Sequence, residues 1–401
     1  MKKILLLGGS AQQVIAITTA KKLGYYTILC DYLPDNPGQY VANEFHLIST
    51  TDKEEVLQLA KDKCIDGVVA YSSDPAAPTA AYVAEKLSLP GLPFHVAESF
   101  CNKNLFREYL RKNGFNTPKC IVLSPSSDVS VIETMIFPII VKPSDSSGSK
   151  GVTVLHDKEG FYEARDYAAK ASRNSVLIAE EFIVRDHPDV IEAEIFVVNG
   201  RVTIWGLMNT VRDSNTNPLL PAAYSYPLNI SEDRVELVRA EVQRLVSTTG
   251  AQYGAFNIEM VITRDNKLYF LDAGPRNGGN ELPEFIGMIS KGNLVEATIN
   301  AAMGEYGSLT SLSLDGKSNG FWGMMVLHSD KSGIFQRIDY DDLAKKHLVR
   351  ESYFKKRGDS IGAFCISRDA IGLAYFEFPD AITRDEIMND FDGKHIEIIV
   401  S

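Results

Sequence analysis

Residues 255–274 read AFNIEMVITRDNKLYFLDAG, in which two apolar runs flank a short polar break. This pattern predicts a β-hairpin. With Asp265-Asn266 as a two-residue loop, counting pairs outward along the strands places Glu259 directly opposite Asp272. Like charges on opposed residues are destabilising, and a divalent cation between the carboxylates would remove that penalty. Oxygen ligands of this kind suit Mg²⁺ or Mn²⁺. The alternative is a register shifted by one residue, with both carboxylates in solvent.

The segment that follows the hairpin, GPRNGGN at residues 274–280, carries one guanidinium and two side-chain amides, at Arg276, Asn277 and Asn280. An arginine guanidinium pairs well with phosphate oxygens. Together with the opposed carboxylates, this segment favours a site that binds a phosphate group and a metal ion.

The overall composition of the chain excludes several classes of function. The chain has 401 residues, enough for two or three domains, and its formal net charge of −11 argues against a nucleic-acid or anionic-membrane surface. No apolar run approaches the ~20 residues of a membrane helix, and the apolar part of MKKILLLGGS is too short for a signal peptide. The five cysteines show no metal-ligand spacing. We therefore expect a cytoplasmic protein with no nucleic-acid or membrane partner.

Up to about residue 95, predicted strands and helices alternate, beginning with a buried strand at residues 3–7. This βαβ pattern predicts an open, mostly parallel sheet. The glycine turn at residues 8–13, with Asp31 after the second strand, could hold a dinucleotide. However, the sequence GGSAQQ departs from the G-x-G-x-x-G fingerprint. We therefore favour a tight strand-to-helix turn in a substrate-binding or scaffold domain over a nicotinamide site.

A second candidate phosphate site follows the apolar strand at residues 137–141. That strand ends in Lys142, and SDSSGSKG at residues 144–151 forms a Gly/Ser loop before another strand. Such a loop offers amides and hydroxyls to phosphate oxygens, although the order G-x-x-x-x-G-K-[ST] is absent. The alternative is a flexible hairpin tip. Lys142 favours the phosphate interpretation, because a lysine at the end of a buried strand is poorly explained as a solvated charge.

Two further segments carry charges in positions that favour a nucleotide. Lys103 lies in the first turn of a predicted helix at residues 102–113, where its charge opposes the helix dipole unless a phosphate binds there. The strand VLIAEEFI at residues 176–183 could offer backbone groups to an adenine edge, while Glu180 accepts from the adenine amino group. The alternative is an edge strand that carries two solvated acids.

Taken together, five motifs in this order resemble the ATP-grasp superfamily over about residues 1–305. They are Lys103, Lys142, the loop at 144–151, the strand segment Glu180–Ile183, and the pair Glu259 and Asp272 followed by Arg276. The resemblance implies a multidomain α/β and α+β protein in three parts. These are an N-terminal open parallel-sheet (pre-ATP-grasp) domain at 1–98, an ATP-grasp domain of two α+β subdomains at 99–305 with a lid at about 115–185, and a C-terminal β-rich extension at 306–401.

The resemblance also implies ATP and Mg²⁺ (or Mn²⁺) as cofactors. It implies two catalytic residues, Lys142 and Arg276, and two metal ligands, Glu259 and Asp272. The residues implied in nucleotide binding are Lys103, Lys142, Ser146, Ser147, Gly148, Ser149, Gly151, Glu180, Glu181, Phe182, Ile183 and Glu192, with Asp189 as the alternative to Glu192 for the ribose. The residues implied in substrate binding are Arg276, Asn277 and Asn280.

The chain departs from the family pattern at Gly274. The family usually has Asn two residues after its second metal acid, so the glycine removes one ligand of a second Mg²⁺. Asn277 or Asn280 would have to supply that ligand. The first metal ion is therefore the firmer expectation.

Members of this superfamily phosphorylate a carboxylate to an acyl phosphate, which an amine or another nucleophile then attacks. The resemblance therefore implies an ATP- and Mg²⁺-dependent ligase for a small carboxylate and an amine, with release of ADP and phosphate. The pattern is similar to the carbamoyl-phosphate-synthetase-like group, with amino-acid ligases as relatives, and it leaves a homodimer open. The alternatives are carboxylation by way of carboxyphosphate, a glycinamide-ribonucleotide-synthetase-like purine step, and a non-catalytic adenine-nucleotide-binding module.

Overall fold

Short runs rich in leucine and isoleucine near the start of the chain form a parallel sheet in the computed structural model, which describes residues 1–316 and 319–401. The strands are β1 (Lys3–Leu7), β2 (Tyr26–Asp31), β3 (Glu44–Leu47) and β4 (Gly67–Val69), in the order β3-β2-β1-β4, and the helices are α1 (Val14–Lys22), α2 (Lys53–Lys63) and α3 (Ala77–Leu87). Alternate residues of β1 enter two separate apolar cores, one with α2 and α3 and the other with α1. A sheet buried on both faces is typical of parallel strands, as predicted.

An antiparallel sheet follows two short helices. The helices are α4 (Phe94–Cys101) and α5 (Lys103–Lys112), and the strands are β5 (Cys120–Leu123), β6 (Ile139–Pro143), β7 (Thr153–Leu155) and β8 (Leu177–Glu181), in the order β5-β8-β6-β7. Helix α6 (Phe161–Ala171) packs on this sheet, since Phe161, Ala164 and Ala168 share a core with Ile139 and Val141. The segment 144–151 connects the paired strands β6 and β7, as the sequence predicted.

The chain divides into two units. The first contains Met1–Asp186, Ala193–Trp205 and Asp233–Leu314, and the second contains His187–Glu192, Gly206–Glu232 and Asp315–Ser401. The next elements are β9 (Val190–Val198), β10 (Arg201–Arg212), β11 (Pro221–Tyr226), α7 (Glu232–Thr249), β12 (Tyr253–Ile262), β13 (Leu268–Gly274), α8 (Leu282–Ser290) and α9 (Leu294–Ala302). In the first unit, the strand order is β13-β12-β9-β10.

The hairpin of β12 and β13 confirms the predicted pairing of Glu259 with Asp272. The predicted two-residue loop is wrong, because the N–H of Thr263 donates to the carbonyl of Lys267 (3.0 Å) and closes a three-residue loop. Such loops place their last residue in the left-handed region, and φ of Asn266, which ends this loop, is 56°. A β-bulge next to Glu259 then shifts the register by one residue and restores the expected pair.

The second unit is rich in β-structure. Its further elements are β14 (Phe321–Leu327), β15 (Gly333–Tyr340), α10 (Asp342–His347), β16 (Leu348–Tyr353), β17 (Ser360–Ile361), β18 (Gly372–Phe378), α11 (Ala381–Met388) and β19 (Ile396–Val400). The strand order is β10-β11-β14-β18-β16 in the larger sheet and β17-β15-β19 in the smaller one. A single apolar core contains residues from both sheets and from α11.

The parallel first sheet, the antiparallel sheets and the β-rich last part of the chain confirm the predicted mixed architecture. The proposed boundaries at residues 98 and 305 remain predictions. Within the two described ranges, no helix is long and apolar enough to cross a membrane.

Candidate active site

Lys103 is the point at which three predicted parts of the site meet. It is the first residue of α5, and its backbone N–H donates to the carbonyl of Ser144 (2.8 Å). Its Nζ donates to the carbonyl of Ser146 (3.0 Å) and lies 2.8 Å from Oδ2 of Asp272. Burial opposes the charge, but Asp272 raises the pKa of Lys103 above its usual value. The lysine therefore joins the loop at 144–151 to the hairpin carboxylate Asp272 as a charged group.

A buried cluster of three charges lies one helical turn further along α5. Nε of Arg107 donates to Oε2 of Glu180 (2.9 Å), and its Nη2 donates to the carbonyl of Leu271 (2.7 Å). Lys142 forms an ion pair with the same carboxylate. Burial lowers the pKa of Lys142, whereas for Glu180 burial is outweighed by Arg107 and Lys142, which lower the pKa of the carboxyl to about 2. Glu180 is therefore an anion between two cations.

Sequence reasoning did not identify Arg107 as part of the site. The available signal was its spacing, since residues four apart on a helix lie on the same face and Lys103 is four positions earlier. The side chain of Arg107 is only 1% exposed. A buried arginine is unusual without a partner, and here the partner comes from a strand that is 73 positions away in the sequence.

The segment predicted to hold adenine lies at the end of β8. The carboxylate of Glu181 accepts from the N–H of Lys119 (2.7 Å), and the N–H of Phe182 donates to the carbonyl of Pro138 (3.2 Å). Both oxygens of Glu180 accept from Arg107. The roles of Glu180 to Ile183 in adenine binding remain predictions.

The loop at 144–151 has an anchored base and an exposed tip. Ser144 is fully buried, and its N–H donates to the carbonyl of Val176 (2.9 Å). Asp145 accepts from the N–H groups of Arg173 and Asn174, both at 2.9 Å. Gly148 at the tip is exposed, and its positive φ of 63° is a conformation that favours glycine. Of the predicted phosphate-binding residues, Gly148 is exposed, and Ser146, Ser147 and Ser149 are partly exposed.

Arg276 forms a further ion pair in the first unit. Its Nη2 lies 2.6 Å from the carboxylate of Asp74, and its Nη1 donates to the carbonyl of Asn277 (3.0 Å). Burial opposes the charge, but Asp74 raises the pKa of Arg276 further above its usual value. The Nε of Arg276 is buried and has no hydrogen-bond partner among the described residues.

Glu194 holds the segment that contains Arg276. This fully buried residue accepts from the N–H of Gly278 (2.8 Å), from Nδ2 of Asn277 (3.1 Å) and from Nδ2 of Asn257 (3.2 Å). Thr298 donates to Oδ1 of Asn277 (2.8 Å). Burial raises the pKa of Glu194 to about 7 against the effect of these donors. Sequence reasoning did not assign Glu194 a function.

The N-terminal sheet contributes to the same segment. The hydroxyl of Ser72 donates to the carbonyl of Gly278 (2.7 Å), and the N–H of Asn280 donates to Oε1 of Gln12 (3.0 Å). Gln12 belongs to the glycine turn after β1, so this turn contacts the predicted substrate segment. That contact is consistent with the scaffold interpretation of the turn.

Both ion pairs act electrostatically on Cys101. Burial raises the pKa of its thiol well above the usual value, and the charges of Asp74, Arg276, Asp272 and Lys103 all act on it. The Lys103–Asp272 pair and the Arg276–Asp74 pair are therefore within electrostatic range of the same side chain. The predicted ribose ligand Glu192 belongs to the second unit, where it accepts from the hydroxyl of Thr210 (3.1 Å), and its role remains a prediction.

The fold and these contacts define a class of protein, one that has a Gly/Ser loop, buried lysines and opposed carboxylates suited to a phosphate and a metal ion. Residues 135–284 match the family model described as the ATP-grasp domain, so the chain carries an ATP-grasp domain, as the order of its motifs predicted.

Curated relatives agree with this match. The chain is 26% identical over 282 residues to the formate-dependent phosphoribosylglycinamide formyltransferase of Bacteroides thetaiotaomicron, which covers 69% of this chain and 71% of that protein. It is 23% identical over 292 residues to the carbamoyl phosphate synthase large chain of Thermotoga petrophila, with 69% of this chain and 26% of that protein covered. The chain thus spans about a quarter of the length of the carbamoyl phosphate synthase large chains that it matches.

Solved structures share the whole fold. The L-amino acid ligase from Bacillus licheniformis superposes with a TM-score of 0.81 at 22% identity, over 100% of this chain and 99% of that chain. The phosphoribosylglycinamide synthetase from Anaerococcus prevotii has a TM-score of 0.75 at 23% identity, with both chains covered completely. These likenesses confirm the predicted fold class.

Proposed function

We propose that this protein is an ATP- and Mg²⁺-dependent ligase, which activates a small carboxylate as an acyl phosphate and joins it to an amine with release of ADP and phosphate. The observation that carries the proposal is the position of Lys103, which contacts both Asp272 and the backbone of the loop at 144–151. Phosphate oxygens and a metal ion would be held together where a Gly/Ser loop, a lysine and paired carboxylates meet.

Glu259 and Asp272 suit a magnesium ion whose ligands come partly from the protein and partly from the phosphates of the nucleotide. Across the part of the chain that the structure describes, no group of three or more His, Cys, Asp or Glu side chains is arranged to hold a metal ion. Mg²⁺ commonly takes one or two carboxylates, and phosphates and water supply its other ligands. When bound, the ion would neutralise charge on the phosphoryl oxygens.

The positively charged side chains of the site would balance the negative charge of a triphosphate that the magnesium ion leaves. Lys103 and Lys142 are held by carboxylates in the structure, and Arg276 and the Lys103–Asp272 pair act electrostatically on the same thiol, that of Cys101. Preorganised positive groups around a transferring phosphoryl group supply electrostatic stabilisation without reorganisation during the reaction. We therefore assign Lys103 and Lys142 to the phosphates and Arg276 to the transferred group.

In the proposed reaction, a carboxylate oxygen of the substrate attacks the γ-phosphorus of ATP, and the bond from that phosphorus to the β–γ bridging oxygen breaks as ADP leaves. The amine nitrogen then attacks the acyl carbon and loses a proton, and phosphate leaves with the electron pair of the acyl–oxygen bond. Neither step needs a protein nucleophile, so positioning and charge carry most of the acceleration.

A double substitution tests the metal assignment. Glu259→Gln with Asp272→Asn keeps the size of both side chains and removes both charges, so we expect Mg²⁺-dependent ATP turnover to be lost. The matched control is Asp265→Asn, an exposed carboxylate in the loop of the same hairpin. Calorimetry should also show that the double variant loses the Mg²⁺ dependence of ATP binding. Wild-type turnover in the double variant would contradict the assignment.

A further inference from the structure

The first unit contains a cavity of about 410 Å³ whose walls are mostly apolar. One wall is helix α3, from which Ala77, Ala80, Ala81 and Ala84 face the cavity at the spacing of a single helical face. Other walls come from β4, α9 and the first residues of β12. Ligand sites in proteins typically measure ~300–1,000 Å³ and combine apolar walls with a few polar groups. The cavity has the size and lining of a small-molecule site.

The polar residues that line the cavity include Arg276 and Asn277. The amide of Asn277 is already engaged at both atoms, by Glu194 and by Thr298. The Nη groups of Arg276 are engaged by Asp74 and a backbone carbonyl, whereas its Nε is buried and lacks an acceptor among the described residues. Leaving a buried donor without a partner is unfavourable. Because a guanidinium can serve two carboxylates, an anionic ligand at Nε would satisfy the donor without displacing Asp74.

Helix α4 connects this cavity to the proposed catalytic cluster. Ala97 lines the cavity, and Cys101 lies four residues later, on the same face of the helix. The thiol of Cys101 feels the charges of Asp74, Arg276, Asp272 and Lys103, which raise or lower its pKa. Because Arg276 itself lines the cavity, the cavity reaches a group that is assigned to phosphoryl transfer.

We propose that this cavity holds the apolar body of the carboxylate that the enzyme activates, with the carboxylate group at Arg276. The substrate class is then a monocarboxylic acid with a small apolar chain or ring. The proposal rests on the proposed ligase function, since it identifies the cavity's ligand as the acid that is phosphorylated. It predicts that the affinity of the protein for the acid rises with the length of the acid's apolar chain until the chain fills the cavity.

The test is calorimetric titration of acetate, butyrate and hexanoate into the full-length protein with Mg²⁺ and ATP, alongside a titration of ATP itself. Affinity should rise about fourfold for each buried methylene, which corresponds to about 0.8 kcal/mol. Ala81→Leu places a larger side chain in the cavity and should abolish the gain in affinity from butyrate to hexanoate. Lys86→Leu, on the exposed side of the same helix, is the matched control and should keep the gain.

Circular dichroism and thermal unfolding will show whether Ala81→Leu folds. If it does not fold, Ala80→Leu, at a partly exposed position of the same wall, replaces it as the cavity variant. If ATP binds but the three acids bind equally, or if the cavity variant keeps the gain, the proposal is overturned while the ligase function stands. If ATP does not bind, the ligase function fails, and the assignment of the acid as its substrate fails with it.

Discussion

Arg107→Met tests the cluster that sequence reasoning missed. The substitution keeps an unbranched side chain but removes the guanidinium from Glu180, which stays almost fully buried, and from the carbonyls of Phe270 and Leu271. Removing one partner of a buried ion pair typically costs ~3–5 kcal/mol. Because Lys142 still pairs with Glu180, we expect a loss of about 3 kcal/mol in the free energy of unfolding, near the lower end of that range.

The assay is urea unfolding followed by circular dichroism at pH 7. Arg111→Met, at an exposed position one turn further along α5, is the matched control, and we expect it to change the free energy of unfolding by less than about 1 kcal/mol. Arg107→Met with Glu180→Gln should not recover the loss, because Lys142 is then a buried cation without its carboxylate. An Arg107→Met protein as stable as Arg111→Met would refute the reasoning.

Three further outcomes follow from the site. The pKa of Glu194 in the folded protein is about 7, above its ordinary value of 4.5. The stability that the protonated carboxyl contributes is therefore present below pH 4.5 and is lost as the pH rises to 7. Urea denaturation from pH 4 to 8 should show this fall in the free energy of unfolding in the wild type and not in Glu194→Gln. Lys142→Met should weaken ATP binding in calorimetry, whereas the exposed Lys158→Met should not; equal affinities would remove Lys142 from the phosphate site. Trypsin should cleave after the exposed Lys150, and Mg²⁺ with ATP should protect that bond, whereas cleavage after Lys158 should not change; equal cleavage at Lys150 with and without ATP would mean an ordinary loop.

Local sequence patterns were sufficient to predict the elements whose pairing partners are close in the sequence. The hairpin was predictable because two apolar runs flank a polar break, and Glu259 does pair with Asp272. The predicted loop was nevertheless wrong by one residue, and a bulge compensated for the error. A count of residues cannot reveal a bulge, because the extra residue, Leu271, is as apolar as its neighbours.

The buried networks were not predictable from sequence for a different reason. Arg107 and Glu180 are 73 positions apart, and Asp74 and Arg276 are 202 positions apart, so no local pattern joins them. The sequence singled out Glu180 and Arg276 for other roles, whereas their partners Arg107 and Asp74 look like surface charges until the fold brings them together. The alanines of α3 likewise predict an ordinary core face, and only the packing around them leaves a cavity.

The most direct test of the central claim is ATP consumption with Mg²⁺ against a panel of amino acids, small carboxylates and bicarbonate, with ADP resolved from AMP. We predict that ADP and phosphate form only when a particular carboxylate and an amine are present. Turnover that requires bicarbonate instead would favour carboxylation by way of carboxyphosphate. Release of AMP and pyrophosphate, or tight ATP binding without turnover across the panel, would contradict the acyl-phosphate ligase.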